Sequence, residues 1–415
     1  MHLCLYEDSQ VGHFHPLTYF RPVYDLRCGI LTLREKFQHL FRPSALAVYA
    51  RPFLTDLLRE ENPQVAVNVL TGTHCLMING RMLLSSAAAR SMSRQRTDAL
   101  FVSGDDTAGA VVSGSILQAF AGSLARGEPN LQLLESLPRI EVEAAPLRYL
   151  WDLVVASGTE IVSDFRLLRP TISRTAVIHK SAILAGRRNI GIGSGSEIGP
   201  GAILDARKGP VYVGKNVTVS AGAVLEGPCA VGDGSIVRIH ARIGAGTSVG
   251  PFCKVGGEVQ RSIFQSYANK AHDGFLGDSF IGSWVNLGAG TTSSNLKNTY
   301  GTVRVSVNGT TVDTGRMYVG TFAGDHVKAG INSAFTTGTV IGPAANLYGG
   351  GSPPKFVPAF SWGGAGRLEP YLLEKALKTA VIVMGRRDVA ASDAYKTLFR
   401  HVHAMTAHER EHIGR

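Results

Sequence analysis

A six-residue spacing of aliphatic side chains is the feature that most constrains how this chain can fold. Glycine directly follows five of the eight residues that carry the spacing. Six matches neither the helical period of about 3.6 residues nor the two-residue alternation of a strand. The pattern is a hexapeptide repeat, in which each unit supplies one short strand and one turn. The aliphatic positions are Val213, Val219, Leu225, Val231, Val237, Ile243, Val249 and Val255.

Three hexapeptides make one triangular coil, and stacked coils bury their inward aliphatic residues in a continuous core. Glycine at the corners permits backbone conformations that other residues rarely adopt. The sequence therefore predicts a parallel β-helix over residues 169–356, followed by a helical extension over 357–415. We expect the chain to leave this prism twice, at 257–275 and at roughly 296–316, and the repeat to weaken after Ile331.

The first part of the chain has a different texture. Residues 29–41, 114–127 and 131–137 have helical patterns, whereas 63–70 and 74–80 read as short strands. Alternation of helices and strands is typical of an α/β domain with a largely parallel sheet. We assign residues 1–168 to such a domain.

Composition narrows the class of partner and compartment. The net charge of +10 favours anionic partners such as phosphates, but the Lys and Arg are scattered and no nucleic-acid-binding motif accompanies them. The five cysteines form no CxxC pair, which argues against a disulfide framework or a zinc site. No apolar run is long enough to span a bilayer, and the N-terminus does not resemble a signal peptide. We therefore expect a cytoplasmic protein.

The stretch KAHDGFLGDSFIGSWVNLGAGTTSSN, residues 270–295, carries one histidine on this repeat background. A histidine titrates near neutrality and can take a proton from an attacking amine, and a glycine-rich turn can offer N–H groups to an oxyanion. The stretch closely resembles the acetyltransferase domain of the bifunctional N-acetylglucosamine-1-phosphate uridylyltransferase/glucosamine-1-phosphate acetyltransferase family. That resemblance implies a left-handed parallel β-helix, acetyl-CoA as cosubstrate and His272 as general base.

The resemblance assigns further residues. It implies that Arg242 binds the sugar phosphate, that Asn286 and Asn295 lie near the amino sugar, and that the backbone of Ala289 faces the coenzyme. Glu258 matches a carboxylate of the family.

Three positions depart from the family pattern. Gln260 replaces a substrate-binding lysine, with Arg261 adjacent to it, and Phe275 replaces a tyrosine. Gly301 replaces another lysine, with Lys297 as the nearest substitute. The sequence therefore predicts an altered phosphate site and leaves the exact amino sugar open.

Residues 16–37, PLTYFRPVYDLRCGILTLREKF, resemble the signature of the sugar-phosphate nucleotidyltransferases. The family's glycine-rich phosphate loop is replaced by EDSQVGHF, which places two carboxylates where glycine would let backbone amides reach phosphate. Arg21 and Arg27 are the cationic candidates. Asn79 stands where the family has a magnesium-binding aspartate, and Asp152 matches the second metal carboxylate, so Mg²⁺ is the implied metal.

The resemblance implies a bifunctional enzyme of nucleotide-sugar synthesis. The β-helix would acetylate an amino-sugar phosphate from acetyl-CoA, and the first domain would join a sugar 1-phosphate to a nucleotide from a nucleoside triphosphate. A homotrimer is expected, because the family's acetyl-transfer sites lie between neighbouring prisms. Two alternatives stay open: an acyltransferase with a degenerate first domain, and a non-catalytic hexapeptide scaffold.

Overall fold

The computed structural model describes residues 2–411 and 413, which form a mixed α/β domain, a three-faced parallel β-helix and a helical tail. The α/β domain has a seven-stranded sheet with the order β3-β2-β1-β4-β7-β6-β8. Strands β1 to β4 are β1 His2–Tyr6, β2 Ala45–Tyr49, β3 Ala66–Val67 and β4 His74–Asn79. The remaining strands are β5 Met82–Leu84, β6 Ala99–Ser103, β7 Asp106–Ser113, β8 Arg139–Glu141 and β9 Ala144–Pro146.

Five helices cover this sheet. The longest, α5, has its N-terminus capped by Asp152 and ends at Leu168, next to the start of the β-helix. The predicted helix at 131–137 is a 3₁₀ turn, Leu131–Leu134. The sheet is largely parallel, as the sequence predicts, and β7 is the exception because it runs antiparallel to both β4 and β6. The helices are α1 Leu33–Phe41, α2 Thr55–Glu61, α3 Ser86–Arg94, α4 Gly114–Ala125 and α5 Leu150–Leu168.

The β-helix has three faces, each a ladder of short strands. Face 1 contains β10 Val177–Ile178, β13 Glu197–Ile198, β16 Thr218–Val219, β19 Ile236–Val237, β22 Lys254–Val255, β25 Asn269–Lys270, β28 Asn286–Leu287, β33 Lys328–Ala329, β36 Asn346–Leu347, β38 Ser361–Gly363 and the antiparallel β39 Leu368–Pro370. Face 2 contains β11 Ile183–Ala185, β14 Ile203–Asp205, β17 Val224–Glu226, β20 Arg242–Ile243, β23 Glu258–Gln260, β26 Phe275–Gly277, β29 Thr292–Ser293 and β34 Ala334–Phe335. Face 3 contains β12 Ile190–Ile192, β15 Val211–Val213, β18 Cys229–Val231, β21 Ser248–Val249, β24 Ile263–Phe264, β27 Phe280–Ile281, β32 Phe322–Ala323, β35 Val340–Ile341 and β37 Phe356–Val357.

The aliphatic residues of the six-residue repeat point into the prism, as the sequence predicts. All eight of them are buried and belong to one core that runs along the β-helix axis. Each strand of a face lies about 4.8 Å from the next, which is the spacing of hydrogen-bonded strands. The residues that carry the six-residue period in the sequence are therefore residues of the β-helix core.

The expected excursion at 257–275 is wrong. Strands β23, β24 and β25 lie in this segment and keep the parallel ladder on all three faces. The coils here become shorter instead: Val224 pairs with Arg242 18 residues later, Arg242 with Glu258 16 residues later, and Glu258 with Phe275 17 residues later. A corner turn can absorb one or two residues without breaking the strands, which hides the repeat in the sequence.

The second excursion is present. The chain leaves the prism after β29 and forms an antiparallel hairpin from β30 Arg304–Val307 and β31 Thr310–Asp313. It returns at β32, which pairs with β27 on face 3. The expected weakening of the repeat after Ile331 is a change of sequence only, because β34 to β38 still continue the three ladders.

Face 3 is the face to which the rest of the molecule is attached. Its outward residues Ile263, Phe280, Phe322 and Val340 are buried in a core shared with the α/β domain and the tail. The tail consists of α6 Leu373–Gly385 and α7 Asp393–Met405, and α7 contacts α2. Faces 1 and 2 therefore remain the faces on which a ligand can lie.

Candidate functional site

His272 lies in the four-residue turn that joins β25 on face 1 to β26 on face 2. Its side chain is exposed. The turn of the next coil contains Ala289, and the two turns are joined by the hydrogen bond from Gly290 N to the Asp273 carbonyl at 3.1 Å. The Ala289 carbonyl accepts a bond from Asn332 at 2.7 Å, while its own N–H makes none within the described part of the chain. The corner between faces 1 and 2 thus brings His272 and Ala289 onto adjacent coils.

Lys270 occupies an inward position of face 1, in the column that elsewhere holds Val255 and Leu287. It is 1 % exposed. Its Nζ donates to the carbonyl oxygens of Gly256 at 3.1 Å and His272 at 2.8 Å. Burial lowers the pKa of this ammonium to about 8, against a smaller opposing effect of Asp273. A core lysine therefore holds the backbone of the histidine turn, and its signal in the sequence is a charged residue at an aliphatic position.

Arg242, Glu258 and Phe275 stand side by side on face 2. They pair with one another across consecutive strands, so their side chains point outward from the same column. Arg242 Nη2 is 2.6 Å from Glu258 Oε2, and Gln260 Nε2 donates to Glu258 Oε1 at 3.3 Å. Glu258 therefore forms an ion pair with Arg242, the residue that the family resemblance assigns to the sugar phosphate.

The Phe275 ring lies across Gly277 toward Asn295. A Cβ placed on Gly277 would be 2.6 Å from Phe275 Cζ and 2.7 Å from Asn295 Nδ2, so only glycine leaves room for both groups. Asn295 donates to Asp278 Oδ2 at 2.6 Å, and Arg261 Nε contacts the same carboxylate at 2.7 Å. Asn295 thus lies at the edge of face 2 opposite to His272, rather than beside it.

Asn286 lies on face 1 with its side chain exposed. It is paired in register with Asn269, whose Nδ2 is 3.4 Å from Asn286 Oδ1. Arg387, from the tail, donates to Asn269 Oδ1 at 2.8 Å. Neither Asn269 nor Arg387 is predicted from the sequence, because only the fold brings the tail to this face.

Lys297 and Arg261, the residues nearest to the two missing lysines, both have partners close by in the fold. Lys297 donates to the Thr302 carbonyl within its own excursion, and Arg261 is paired with Asp278. Gly301 is exposed in the same excursion.

A cavity of about 490 Å³ lies in the α/β domain at the carboxyl ends of β1 and β2. Doubly wound sheets bind nucleotides at this edge. The lining includes Glu7, Asp8, Tyr49 and Arg51. Glu7 is paired with Arg51 at 3.1 Å, and Asp8 with Arg81 at 2.6 Å.

The predicted cations of this domain lie elsewhere. Arg21 is paired with Asp325 of the β-helix and donates to Ser283 at 3.1 Å. The backbone N–H of Arg27 donates to Gln265 Oε1 at 3.0 Å. Both residues therefore join the α/β domain to face 3 and the adjoining corner, and the PLTYFRP signature serves an interface in this chain.

The predicted metal residues also have structural partners. Asn79 is buried and donates to Asp8 Oδ2 at 2.9 Å. Asp152 Oδ2 accepts the backbone N–H groups of Arg148 and Tyr149 at 2.8 and 3.0 Å, which caps α5. Among residues 2–411 and 413, no group of three or more His, Cys, Asp or Glu side chains is arranged to hold a metal ion. The residues present do not fit a preformed magnesium site.

Within the described residues, no helix is both long and apolar enough to cross a bilayer. All five cysteines are free and buried.

Comparison with known proteins found one family model and several relatives that match part of the chain. Residues 3–171 match the protein family described as "Sugar nucleotidyl transferase". "Bifunctional protein GlmU" of Rippkaea orientalis is 34% identical over 123 residues, which is 29% of this chain and 25% of that protein. "Bifunctional sugar-1-phosphate nucleotidylyltransferase/acetyltransferase" of Sulfurisphaera tokodaii is 39% identical over 93 residues, 22% of this chain and 23% of that protein. The matches thus span about a quarter of each relative.

A solved UDP-N-acetylglucosamine acyltransferase of Francisella novicida is 15% identical, with a TM-score of 0.28, over 57% of this chain and 92% of that chain. The predicted architecture is confirmed: an α/β nucleotidyltransferase-like domain precedes a three-faced parallel β-helix with a helical tail. The resemblance drawn from the hexapeptide motif and the PLTYFRP segment is confirmed as well.

Proposed function

We propose that this chain, a relative of the bifunctional sugar-1-phosphate nucleotidylyltransferase/acetyltransferases, acetylates an amino-sugar phosphate with acetyl-CoA. The observation that carries the proposal is the corner between faces 1 and 2, where His272 and Ala289 occupy adjacent turns. Asn286 on face 1 and Arg242 with Phe275 on face 2 flank that corner. The corner is open to solvent at His272, as a general base for an incoming substrate must be.

The chemistry follows from these positions. The sugar amine attacks the thioester carbonyl, a C–N bond forms, and His272 accepts the proton that the nitrogen loses. The oxyanion that develops on the carbonyl needs a hydrogen-bond donor, and the N–H of Ala289 supports that role because it is unused. When the C–S bond breaks, His272 returns the proton to the departing thiolate, so coenzyme A leaves as a thiol.

Acetyl transfer is tested with purified full-length protein, acetyl-CoA and a panel of amino-sugar phosphates that includes glucosamine 1-phosphate. We expect release of free thiol that depends on an amine-bearing sugar and is absent with its N-acetylated form. Thiol release that is the same with and without sugar would contradict the proposal and favour a non-catalytic scaffold.

For the α/β domain we propose nucleotidyl transfer from a nucleoside triphosphate to a sugar 1-phosphate. The cavity at the ends of β1 and β2 supports this function, because its place in the sheet is that of a nucleotide site and Arg51 lines it. Magnesium would enter with the triphosphate rather than occupy a preformed site, because Glu7 and Asp8 are already paired with arginines. The alternative is a domain retained only for assembly.

Nucleotidyl transfer is tested by measuring pyrophosphate from UTP, dTTP, CTP and GTP with common sugar 1-phosphates and Mg²⁺. We expect slow release with one pair, and a loss of that release in Arg51→Gln. Arg59→Gln, an exposed change on α2, is the matched control. No release above boiled protein for every pair would favour the assembly role.

We propose that the protein is a cytoplasmic homotrimer. The candidate site lies on faces 1 and 2, whereas the α/β domain packs against face 3. Faces 1 and 2 are therefore available for contact with neighbouring prisms. Closed three-fold symmetry would place one corner between each pair of copies. Light scattering should give three times the chain mass of 44.2 kDa, and a concentration-independent monomer would contradict this assembly.

A further inference from the structure

On the coils around His272, the described residues of face 2 offer no unpaired cation to a phosphate group. Arg242 is paired with Glu258 and Arg261 with Asp278. Position 260 is a glutamine, and Lys297 is bonded within its own excursion. A ligand phosphate on these coils would have to compete with carboxylates for Arg242 and for Arg261.

Face 1 presents the opposite arrangement. Lys254 points outward one strand before Asn269 and two before Asn286. Arg387 reaches Asn269 from the tail, and Arg386 precedes it in the chain. Across the described residues, neither these two arginines nor Lys254 has a carboxylate within salt-bridge distance.

Arg238 completes this group, the face 1 cation cluster, which consists of Arg238, Lys254, Arg386 and Arg387. Arg238 is exposed, and among the described residues no carboxylate lies within salt-bridge distance of it. It directly follows β19, at the corner between faces 1 and 2 that also contains His272 two coils later. A Cβ placed on Gly256 would lie 3.2 Å from Arg238 Cβ, so the arginine sits directly against the turn of the next coil.

The three arginines of the cluster act on Lys254. Repulsion from Arg387 is the largest cause of a lowered pKa at Lys254, and burial, Arg238 and Arg386 act in the same direction. A helix C-terminus favours basic residues, which accounts for Arg386 and Arg387 after α6. It does not account for Lys254 and Arg238, which belong to the β-helix. An anion bound among the four would relieve the repulsion.

We propose that the face 1 cation cluster binds a phosphate group of the acetyl-transfer ligands. Lys254 lies about 10 Å along the face from Asn286, at two strand spacings, which is within reach of a ligand that extends from the His272 corner. Arginine and lysine bind phosphate through charge-assisted hydrogen bonds. The inference rests on the proposed acetyl transfer for the identity of the ligand.

Two sources supply such a phosphate, the sugar phosphate and the 3′-phosphate of coenzyme A. Calorimetry of the full-length protein with glucosamine 1-phosphate, coenzyme A and 3′-dephospho-coenzyme A separates them without turnover. The test variants are Lys254→Gln and the double change Arg386→Gln with Arg387→Gln. The control is Lys180→Gln, which removes an exposed charge at the corner between faces 1 and 2. Lys180 follows β10, which lies four strands before the strand of Lys254 on face 1, a separation of about 19 Å.

We expect each test variant to raise the Kd of one phosphate ligand at least about 10-fold, the effect of losing a charge-assisted bond. A rise for coenzyme A, with no change for the dephospho form, identifies the 3′-phosphate. A rise for glucosamine 1-phosphate identifies the sugar phosphate. An unchanged melting temperature confirms that each variant is folded.

Equal affinities in the test variants and in Lys180→Gln overturn the inference, and so does a wild-type protein that binds neither ligand. Failure of the proposed function is recognised separately. In that case the wild type transfers no acetyl group, although the calorimetry still reports whether the face 1 cation cluster binds phosphate. Intact acetyl transfer with unchanged affinities leaves the proposed function in place and removes only this site.

Discussion

His272 is placed by its own backbone rather than by side-chain partners. The turn is held by the Lys270 ammonium on one side and by the bond from Gly290 to Asp273 on the other. Its imidazole is left exposed at the corner, where it can exchange protons with a substrate. Chemistry at this residue therefore depends on a turn whose stability comes from the prism core.

Replacing His272 with alanine should lower kcat for acetyl transfer by about 10²- to 10⁴-fold, the usual contribution of a general base. The melting temperature should hardly change, because the His272 side chain is exposed. The control is His240→Asn, since His240 is exposed at the same corner two coils earlier. Wild-type activity in His272→Ala would show that the proton goes elsewhere, and Glu258 would be the next residue to test.

Lys270 makes stability depend on pH in a defined window. Its folded pKa of about 8 lies below the ordinary value of 10.5, so between these values the unfolded chain holds a proton that the folded chain has lost. Stability from this group therefore rises with pH across the window, by up to about 3 kcal/mol for a shift of this size.

In Lys270→Met that rise should disappear. Urea unfolding of both proteins from pH 7 to 10.5 gives the free energy of unfolding at each pH. The difference between wild type and variant isolates Lys270, because the buried tyrosines and thiols contribute equally to both proteins. The variant should also lose acetyl transfer, because the carbonyls of Gly256 and His272 lose their donor. A pH dependence identical to that of the wild type would contradict the buried position of this ammonium.

At the scale of the element, the β-helix tolerates changes in coil length but not in corner shape. Gly250 follows an inward valine and packs against the next coil, where an added Cβ would lie 1.9 Å from the Gln265 carbonyl oxygen. This clash is with the backbone of Gln265, which cannot move away without shifting the neighbouring strand β24. Gln265 also bonds Arg27 and Asp25 of the α/β domain, so the shift would reach the interface.

Gly250→Ala should therefore destabilise the protein by about 1–3 kcal/mol or more, the cost of overpacking. Gly366→Ala is the matched control, because nothing lies within 4 Å of the added methyl group. Denaturant unfolding of the two variants gives the comparison. Equal stability would mean that the corner relaxes more easily than the coil spacing indicates.

At the scale of the molecule, the α/β domain and the β-helix are joined by a buried ion pair. Arg21 and Asp325 are 13 % and 3 % exposed, and Ser283 contacts both groups. Removing one partner of a buried pair leaves a charge without compensation, at a cost of about 3–5 kcal/mol.

Arg21→Gln and Asp325→Asn should each destabilise the protein by that amount, whereas the double variant should lose less than the sum. Arg207→Gln removes an exposed pair with Asp205 and should change little. Unfolding followed by tryptophan fluorescence of all four variants completes the cycle. Strict additivity would show that the two groups do not interact across the domains.

Much of the architecture was determined by the sequence itself. The six-residue period specifies inward positions one coil at a time, so the β-helix could be predicted without knowledge of any distant contact. His272 was found for a similar reason, since its turn and that of Ala289 are close in sequence and contain the motif. The PLTYFRP segment likewise predicted an α/β nucleotidyltransferase-like domain.

Only the tertiary structure decided which face is covered and which charges meet. Arg21 was expected at a nucleotide but lies against Asp325, more than 300 positions later in the chain. Arg387 was not expected at the site, yet the tail brings it beside Asn269. Local periodicity reports whether a residue points inward or outward. It carries no information about what lies outside, because that depends on packing between segments far apart in the sequence.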